Sequence, residues 1–251
     1  MNDIRYTIRQ LVKHPSFTFI AIFALALGIG ANTAIFSVVN AVLLLPLPYP
    51  DAEKLVLVRE RSYQFPWGAV GYMNWQDWHK AQRSFTDLAI VRREDYNFSV
   101  GNAVGAPERV RGLRASAGFL PVMGLKPRIG RNLTPAENVS GGPNVALISE
   151  KLWHQRFAGS PGVLGKHAMV DGLDREIVGV FPSKLQFGRY PDVLLPLGEI
   201  ANEPGMLSRN NHQGFSALGR LKPGLTLEQA STDFESIALD LEKKYPDSNT
   251  G

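Results

Sequence analysis

The five histidines could offer metal or proton chemistry, but their spacing forms no recognisable site. They lie at positions 14, 79, 154, 167 and 212. No two are three to five residues apart, which is the spacing that lets one helix present two histidines to zinc. The chain also has no cysteine, so thiolate ligands and thiolate nucleophiles are absent. We expect no metal, no disulfide and no cysteine chemistry.

Nucleotide and hydrolase motifs are also missing. The sequence contains neither a G-x-S-x-G serine motif nor a G-x-x-x-x-G-K-[ST] phosphate-binding loop, so we expect no ATP hydrolysis by this chain. Gly28-Ile29-Gly30 begins like a dinucleotide fingerprint, but it lies in an apolar run and lacks the third glycine. We predict no enzyme activity and no cofactor. Because any two carboxylates could meet in the fold, an acid/base site stays open as the alternative.

A long apolar segment dominates the N-terminal part instead. Residues Phe17 to Leu45 include no Asp, Glu, Lys, Arg or His, and about 20 apolar residues suffice to span a bilayer as a helix. We predict a transmembrane helix over residues 16–46. At about 1.5 Å per residue the 29 uncharged residues would measure about 43 Å, more than the hydrocarbon core of about 30 Å. We therefore expect the helix to tilt or to protrude from the membrane.

Two other kinds of segment resemble a membrane span. A cleaved signal peptide would use Ala24-Leu25-Ala26 as its processing site, but the apolar run continues well beyond it, where a mature protein should begin in water. A buried helix of a soluble core rarely reaches this length without a charge. The membrane span explains the segment best.

The residues before the span predict both orientation and a membrane contact. This segment has three basic residues, Arg5, Arg9 and Lys13, and a single acidic residue, Asp3. Short basic flanks of a membrane span stay in the cytoplasm. Residues 1–15 also show helical spacing of apolar side chains beside these three bases. We predict a cytoplasmic amphipathic helix whose bases contact anionic membrane lipid. The alternative is a positive flank that only sets the topology.

Small residues recur at four-residue intervals within the span. Such intervals let a second helix approach closely, which predicts helix packing through Gly28, Gly30 and Asn32. The alternative is that alanine and glycine are simply common in membrane helices. The two series are Ala24, Gly28 and Asn32, and Ala26, Gly30 and Ala34.

The remaining residues alternate between strand and helix patterns, which predicts an α+β region. Trp75 and Trp78 are predicted as core anchors, and Thr226 with Gln229 as a capping box that opens a helix. Without its first sixteen residues the chain keeps 24 basic and 22 acidic side chains, dispersed along the sequence. This distribution gives no support to nucleic-acid binding. Strands are predicted over 55–58, 86–92, 95–100, 108–115, 144–148, 166–170, 175–180 and 215–221, and helices over 72–81, 149–157 and 226–244.

An ordered series of segments resembles the MacB/FtsX-type ABC-transporter permeases, in particular a duplicated-permease group of acidobacteria. The opening residues resemble the first helix of that family, and five later segments follow in the family's order. The likeness covers essentially the whole chain. The segments are DIRYTIRQLVKHPSFTFIAIFALALGIGANTAIFSVVNAVLLLPLPYPDAEKLVLV, PERVRGLRAS with GFLPVMGLKPRIGRNLTPAEN, VALISEKLWHQRF, VLGKHAMVDGLDREIVGVFP and RLKPGLTLEQA.

The resemblance implies a transmembrane helix followed by a mixed α/β periplasmic core domain. In that family the domain has a "porter" part and an inserted, mostly β "sabre" part. We assign residues 51–105 and 205–251 to the porter-like part and residues 106–204 to the insert. The family continues with one more strand and three more transmembrane helices, so we expect this chain to be an N-terminal fragment.

The resemblance also implies function. It predicts a permease subunit of the bacterial inner membrane that couples ATP hydrolysis by a separate cytoplasmic ATPase to periplasmic conformational change, in efflux or mechanotransmission. The implied partners are that ATPase, a second permease copy, a periplasmic adaptor protein and membrane lipid. The alternative is a signal-anchored periplasmic domain that binds a ligand or a cell-wall component. A weaker alternative is an anchored hydrolase. The transported substrate is not predicted.

Overall fold

The computed structural model describes residues 2–40, 47–61, 68–101 and 107–250, together with the side chains of all these residues except 2–5, 7 and 8. The chain forms two compact units, Met1–Leu47 and Pro48–Gly251.

The first unit consists of two helices, α1 at Asn2–Lys13 and α2 at Pro15–Val39. They are separated at His14, where the following proline disfavours helical backbone. The Thr18 hydroxyl donates to the carbonyl of Leu11 at 2.6 Å and to that of His14 at 3.0 Å. The first of these bonds satisfies the Leu11 carbonyl, which receives no amide hydrogen from Pro15. The predicted helix over 16–46 is present through residue 39, and residues 41–46 lie outside the described part.

The second unit is a mixed α+β structure, which confirms the predicted fold class. Its 3₁₀ turns lie at Ala52–Lys54, Pro135–Asn138 and Pro161–Val163. The helices are α3 Tyr72–Ala81, α4 Phe119–Val122, α5 Glu150–Phe157, α6 Pro204–Leu207, α7 Leu227–Lys244 and α8 Pro246–Asn249. The strands are β1 Leu55–Val58, β2 Phe85–Val100, β3 Glu108–Ala115, β4 Ile129–Gly130, β5 Val145–Ser149, β6 His167–Val170, β7 Leu173–Phe181, β8 Val193–Leu195 and β9 Ser216–Leu221.

The strands form one sheet that closes on itself. Its order is β1-β9-β2-β3-β8-β5-β7-β4, and β6 pairs with both β7 and β2. Strands β2, β3, β8, β5, β7 and β6 therefore form a ring, while β1 and β9 extend the sheet from the first half of β2. All these pairs are antiparallel except β3 with β8 and β5 with β7. Each ring strand contributes side chains to one buried cluster, as in a small closed barrel.

Strand β2 differs from the prediction of two separate strands. It runs unbroken for 16 residues, because Arg93 and Glu94 remain in the ladder with β3. Its first half pairs with β9 through Val91, with an irregularity between Phe85 and Leu88. The charged residues at its centre predicted a break, but the fold supplies partners for them.

The buried apolar side chains form three clusters. One lies within the ring and under α5. A second holds α3 and α7 against β2 and β9, and it includes Trp75 and Trp78, each 7% exposed, which confirms their prediction as core anchors. The third packs α4 against the remaining face of the sheet. On α7, Ile237 and Leu241 are buried, whereas Leu227 is 56% exposed because it is the first residue of the helix.

Local sequence signals mark the start of α7 and the turn before β7, which begins at Leu173 rather than at the predicted residue 175. The Thr226 hydroxyl accepts from the Gln229 amide at 3.3 Å, and the Gln229 side chain accepts from the Thr226 amide at 2.9 Å, which is the predicted capping box. Between β6 and β7, Asp171 and Gly172 adopt φ of 50° and 80°, as a two-residue hairpin turn requires.

The predicted division into a porter-like part, residues 51–105 and 205–251, and an inserted part, residues 106–204, stays a prediction. Strand β2 belongs to the first part and pairs with β9 of that part. It also pairs with β3 and β6 of the predicted insert. The two parts therefore share a continuous ladder.

The closed ring of strands leaves no room for a side chain at Gly112 of β3. A Cβ there would lie 2.2 Å from the Tyr96 ring, which is buried. Gly112→Ala should lower the free energy of unfolding by about 1–3 kcal/mol through overpacking, as measured by denaturant titration. The control is Gly162→Ala, whose methyl group approaches only the Ser160 hydroxyl at 3.5 Å. Equal stability of the two variants would contradict the prediction.

Candidate functional site

The predicted membrane-surface residues lie on α1. Arg9 and Lys13 are exposed there, and the side chain of Arg5 lies outside the described side chains. The amphipathic helix itself is present over Asn2–Lys13. Lipid contact by Arg5, Arg9 and Lys13 stays a prediction.

Helix α2 is the one helix in the described part of the chain that is long and apolar enough to span a membrane. None of its residues is buried by the rest of the described chain. Gly28, Gly30 and Asn32 are exposed, and a Cβ at either glycine would meet no described atom within 4 Å. At about 100° per residue, Gly28 and Gly30 lie about 200° apart around the axis. The two small-residue series therefore occupy opposite faces.

The second unit contains a partly buried ionic cluster, which we define as Arg92, Glu94, Arg114, Arg175 and Glu199. Of these, Arg114 and Arg175 are buried. Arg114 donates through Nε to Glu94 Oε2 and through Nη1 to Glu199 Oε2, both at 3.0 Å. Arg175 donates through Nη2 to the same Glu199 oxygen, and Arg92 donates to Glu94 Oε1. The two carboxylates thus link three arginines from separate strands.

The position of the cluster follows from the alternation of side chains along β2. Ile90, Glu94 and Phe98 lie on one face of this strand. Ile90 belongs to the cluster under α3 and α7, and Phe98 to the cluster within the ring, so the charges lie between two apolar regions. The Tyr96 hydroxyl donates to Glu94 Oε2 at 2.6 Å. The Arg114 guanidinium lies 5.8 Å from the centroid of the Tyr96 ring.

These contacts keep Glu94, Glu199 and Arg114 in their charged forms. Burial alone would raise the pKa of Glu94 and of Glu199, but Arg114 and the other arginines outweigh it and lower both pKa values. Burial likewise opposes the charge of Arg114, whereas the carboxylates of Glu94 and Glu199 raise its pKa above the ordinary value. Burial is the main cause of the raised pKa of Tyr96. Tyr96 therefore stays a neutral donor.

Sequence reasoning did not find this cluster. The available signal was a charged residue at an inward position of a strand, such as Arg114, which shares a face with Val110 and Gly112. The pattern does not reveal the partner, because Glu199 is 85 residues away. The described residues contain no group of three or more side chains suited to a metal ion, and the expectation of no enzyme activity stays a prediction.

Comparison with known proteins decides the family. The sequence matches the family model of the MacB-like periplasmic core domain over residues 18–237, which includes most of α2 and nearly all of the second unit. The chain belongs to this family. The resemblance to MacB/FtsX-type permeases is thereby confirmed.

Solved structures of MacB-like domains share the fold. The periplasmic region of MacB from Actinobacillus actinomycetemcomitans is 14% identical, with a TM-score of 0.55 over 78% of this chain and 85% of that chain. The extracellular domain of the noncanonic ABC-type transporter YknZ from Gram-positive bacteria is also 14% identical, with a TM-score of 0.52 over 76% of this chain and 93% of that chain. No curated protein sequence matches the chain.

Glu94 should contribute strongly to the stability of this MacB-like domain at neutral pH. Glu94→Gln leaves Arg114 and Arg92 short of a counter-ion, and we expect a loss of about 2–3 kcal/mol in the free energy of unfolding at pH 7. The lowered pKa of Glu94 gives a stabilisation that is present above the unfolded pKa of about 4.3 and lost as pH falls through the folded value. The difference between wild type and variant should therefore shrink at acidic pH.

Denaturant titration at pH 7 and below pH 4 measures this difference. Glu235→Gln is the matched control, because Glu235 is exposed on α7 and its loss should cost less than about 0.5 kcal/mol. A Glu94→Gln deficit that stays constant with pH would count against the ionic role.

Proposed function

We propose that this chain is the membrane-anchored core-domain segment of an ABC-transporter permease. In this role α2 crosses the bacterial inner membrane, α1 lies on the cytoplasmic surface, and the second unit is periplasmic. A separate cytoplasmic ATPase hydrolyses ATP, and the resulting displacement passes through α2 to the second unit. The part played by this chain is mechanical rather than catalytic, in efflux or mechanotransmission.

The family match is the observation that carries the proposal. It begins at residue 18, within α2, and continues to residue 237, within α7. One family unit therefore includes both the apolar helix and the folded domain, as expected if the domain works in connection with the membrane. The sequence has no phosphate-binding loop, which supports a separate ATPase.

The charges and small residues of the first unit support the proposed arrangement. Arg9 and Lys13 are exposed on a helix next to the apolar span, where bases favour anionic lipid and a cytoplasmic location. The glycines leave open space on two faces of α2. A neighbouring permease helix or a second permease copy can approach there. We also propose a periplasmic adaptor protein as a partner of the second unit.

Leucine at either glycine tests the packing of α2. Gly28→Leu and Gly30→Leu, made separately in the full-length permease with its ATPase, fill opposite faces of the helix. We expect the variant on the face that contacts another helix to reduce transport severalfold, because close approach is lost. Transport is measured as cellular drug resistance or as uptake into vesicles, beside ATP binding by the partner, which should not change.

Ile29→Phe serves as the control, since it enlarges the helix between the two faces without filling either series of small residues. Wild-type transport by both glycine variants, at equal membrane levels, would refute the packing of α2 in this role.

A further inference from the structure

The first residues of the second unit are bound closely to its folded part. Tyr49, Pro50 and Asp51, which we define as the entry segment, follow the apolar run along the chain. Residues 41–46, which separate the second unit from α2, lie outside the described part. Pro50 is exposed, whereas the Tyr49 side chain is buried. A displacement of α2 that travels along the chain enters the second unit at these residues.

The Tyr49 hydroxyl forms two hydrogen bonds with the backbone of a single residue. It donates to the carbonyl of Gln186 at 2.5 Å and accepts from the Gln186 amide at 2.9 Å. Burial raises the pKa of Tyr49, so the hydroxyl keeps the proton that the first bond requires. Gln186 lies between β7 and β8, and the Tyr49 ring packs in the apolar cluster that includes α4. Tyr49 therefore fixes the entry segment to the chain that follows a ring strand.

Arg220 of β9 binds the backbone of the same segment. Its Nη1 atom donates to the carbonyl of Pro50 at 2.9 Å and to that of Asp51 at 3.2 Å. Its Nε atom donates to the carbonyl of Val122, the last residue of α4, at 2.7 Å. Asp51 adopts a φ of 47°, which is uncommon for a residue other than glycine, and in this conformation two successive carbonyls reach one nitrogen. One guanidinium group thus joins the entry segment to a helix and a strand.

Gly124, just after α4, lets these groups pack without a gap. It has a φ of 69°, and a Cβ at this position would lie 3.1 Å from Nη2 of Arg220 and 3.3 Å from Cδ of Pro50. These distances are shorter than ordinary van der Waals contacts between side chains. The entry segment therefore has little room to slide past Arg220 and α4.

The contacts of the entry segment reach both parts of the sheet. Strand β9, which carries Arg220, pairs with the first half of β2, and β2 continues into the ring through its pairing with β3. Gln186 follows β7, which is itself a ring strand. A displacement of the entry segment is therefore applied to the extension of the sheet and to the ring together.

We propose that Tyr49 and Arg220 form the joint through which a displacement of α2 is passed to the core domain. The inference rests on the proposed function and adds to it the residues that couple helix to domain. Packed side chains and hydrogen bonds between rigid elements carry such coupling. Without them, residues 49–54 would loosen and absorb the displacement before it reached β1. Both are positioning residues, because they act by fixing the entry segment.

Force spectroscopy of the full chain in non-ionic detergent measures the joint without the ATPase. Handles on Leu47→Cys and Asn210→Cys, both exposed positions, apply force through the entry segment. Handles on Lys243→Cys, at a 79% exposed side chain, and Asn210→Cys do not. Tyr49→Phe removes both hydroxyl bonds and should lower the first rupture force about twofold in the first geometry, with no change in the second. A purely structural role would lower both forces.

A second measurement follows the core domain while ATP drives the complex. The full-length permease and its ATPase are reconstituted in proteoliposomes, and energy transfer from a donor on Asn210→Cys to acceptor lipids reports the position of the domain. We expect Tyr49→Phe and Arg220→Gln each to reduce the ATP-driven change severalfold while ATP hydrolysis continues. The loss of coupling follows because the entry segment then moves without the sheet.

Tyr190→Phe and Arg83→Gln are the matched controls, since they make the same chemical changes at exposed residues outside the joint. Both should behave as wild type. A wild-type rupture force for Tyr49→Phe in the first geometry, equal lowering in both geometries, or a wild-type ATP-driven change for both joint variants would overturn the joint. A wild-type complex in which ATP moves nothing would instead contradict the proposed function, and the force measurement separates these two failures because it needs no ATPase.

Discussion

The partly buried charges on β2, Arg92 and Glu94, are the constraint on which the domain depends. Glu94 lies between two apolar clusters, where an unpaired carboxylate would be very costly. Its partner Arg114 comes from β3, and Arg114 in turn requires Glu199, which follows β8. Glu199 also holds Arg175 of β7. This chain of ion pairs therefore joins strands from most of the ring. Closure of the ring and pairing of the charges depend on each other.

Elements with local signals could be predicted from the sequence, and those that depend on distant partners could not. The predicted capping box joins Thr226 to Gln229, three residues later, and it is present. The turn between β6 and β7 likewise depends on two adjacent residues, Asp171 and Gly172. The continuity of β2 could not be predicted, since Glu94 looks like an interruption until Arg114 is paired with it. The three-residue strand β8 has no pattern of its own and exists because β3 and β5 flank it.

The same distinction applies to the candidate sites. The apolar run of α2 and the bases of α1 are properties of contiguous sequence, so the sequence alone indicates them. The ionic cluster is built from residues of β2, β3 and β7 and of the segment after β8, so its pairings appear only when the fold is assembled. A strand with an inward arginine is the sequence signal that would have pointed to it.

In the proposed arrangement the first unit crosses the membrane, with its start in the cytoplasm and the core domain outside. The absence of cysteine makes a direct measurement available: single-cysteine variants of Gln10 and Asn210, both exposed, are treated with a membrane-impermeant maleimide in intact spheroplasts. The predicted result is labelling of Asn210→Cys in intact spheroplasts and of Gln10→Cys only after the membrane is permeabilised. Labelling of both variants, or only of Gln10→Cys, in intact spheroplasts would contradict it.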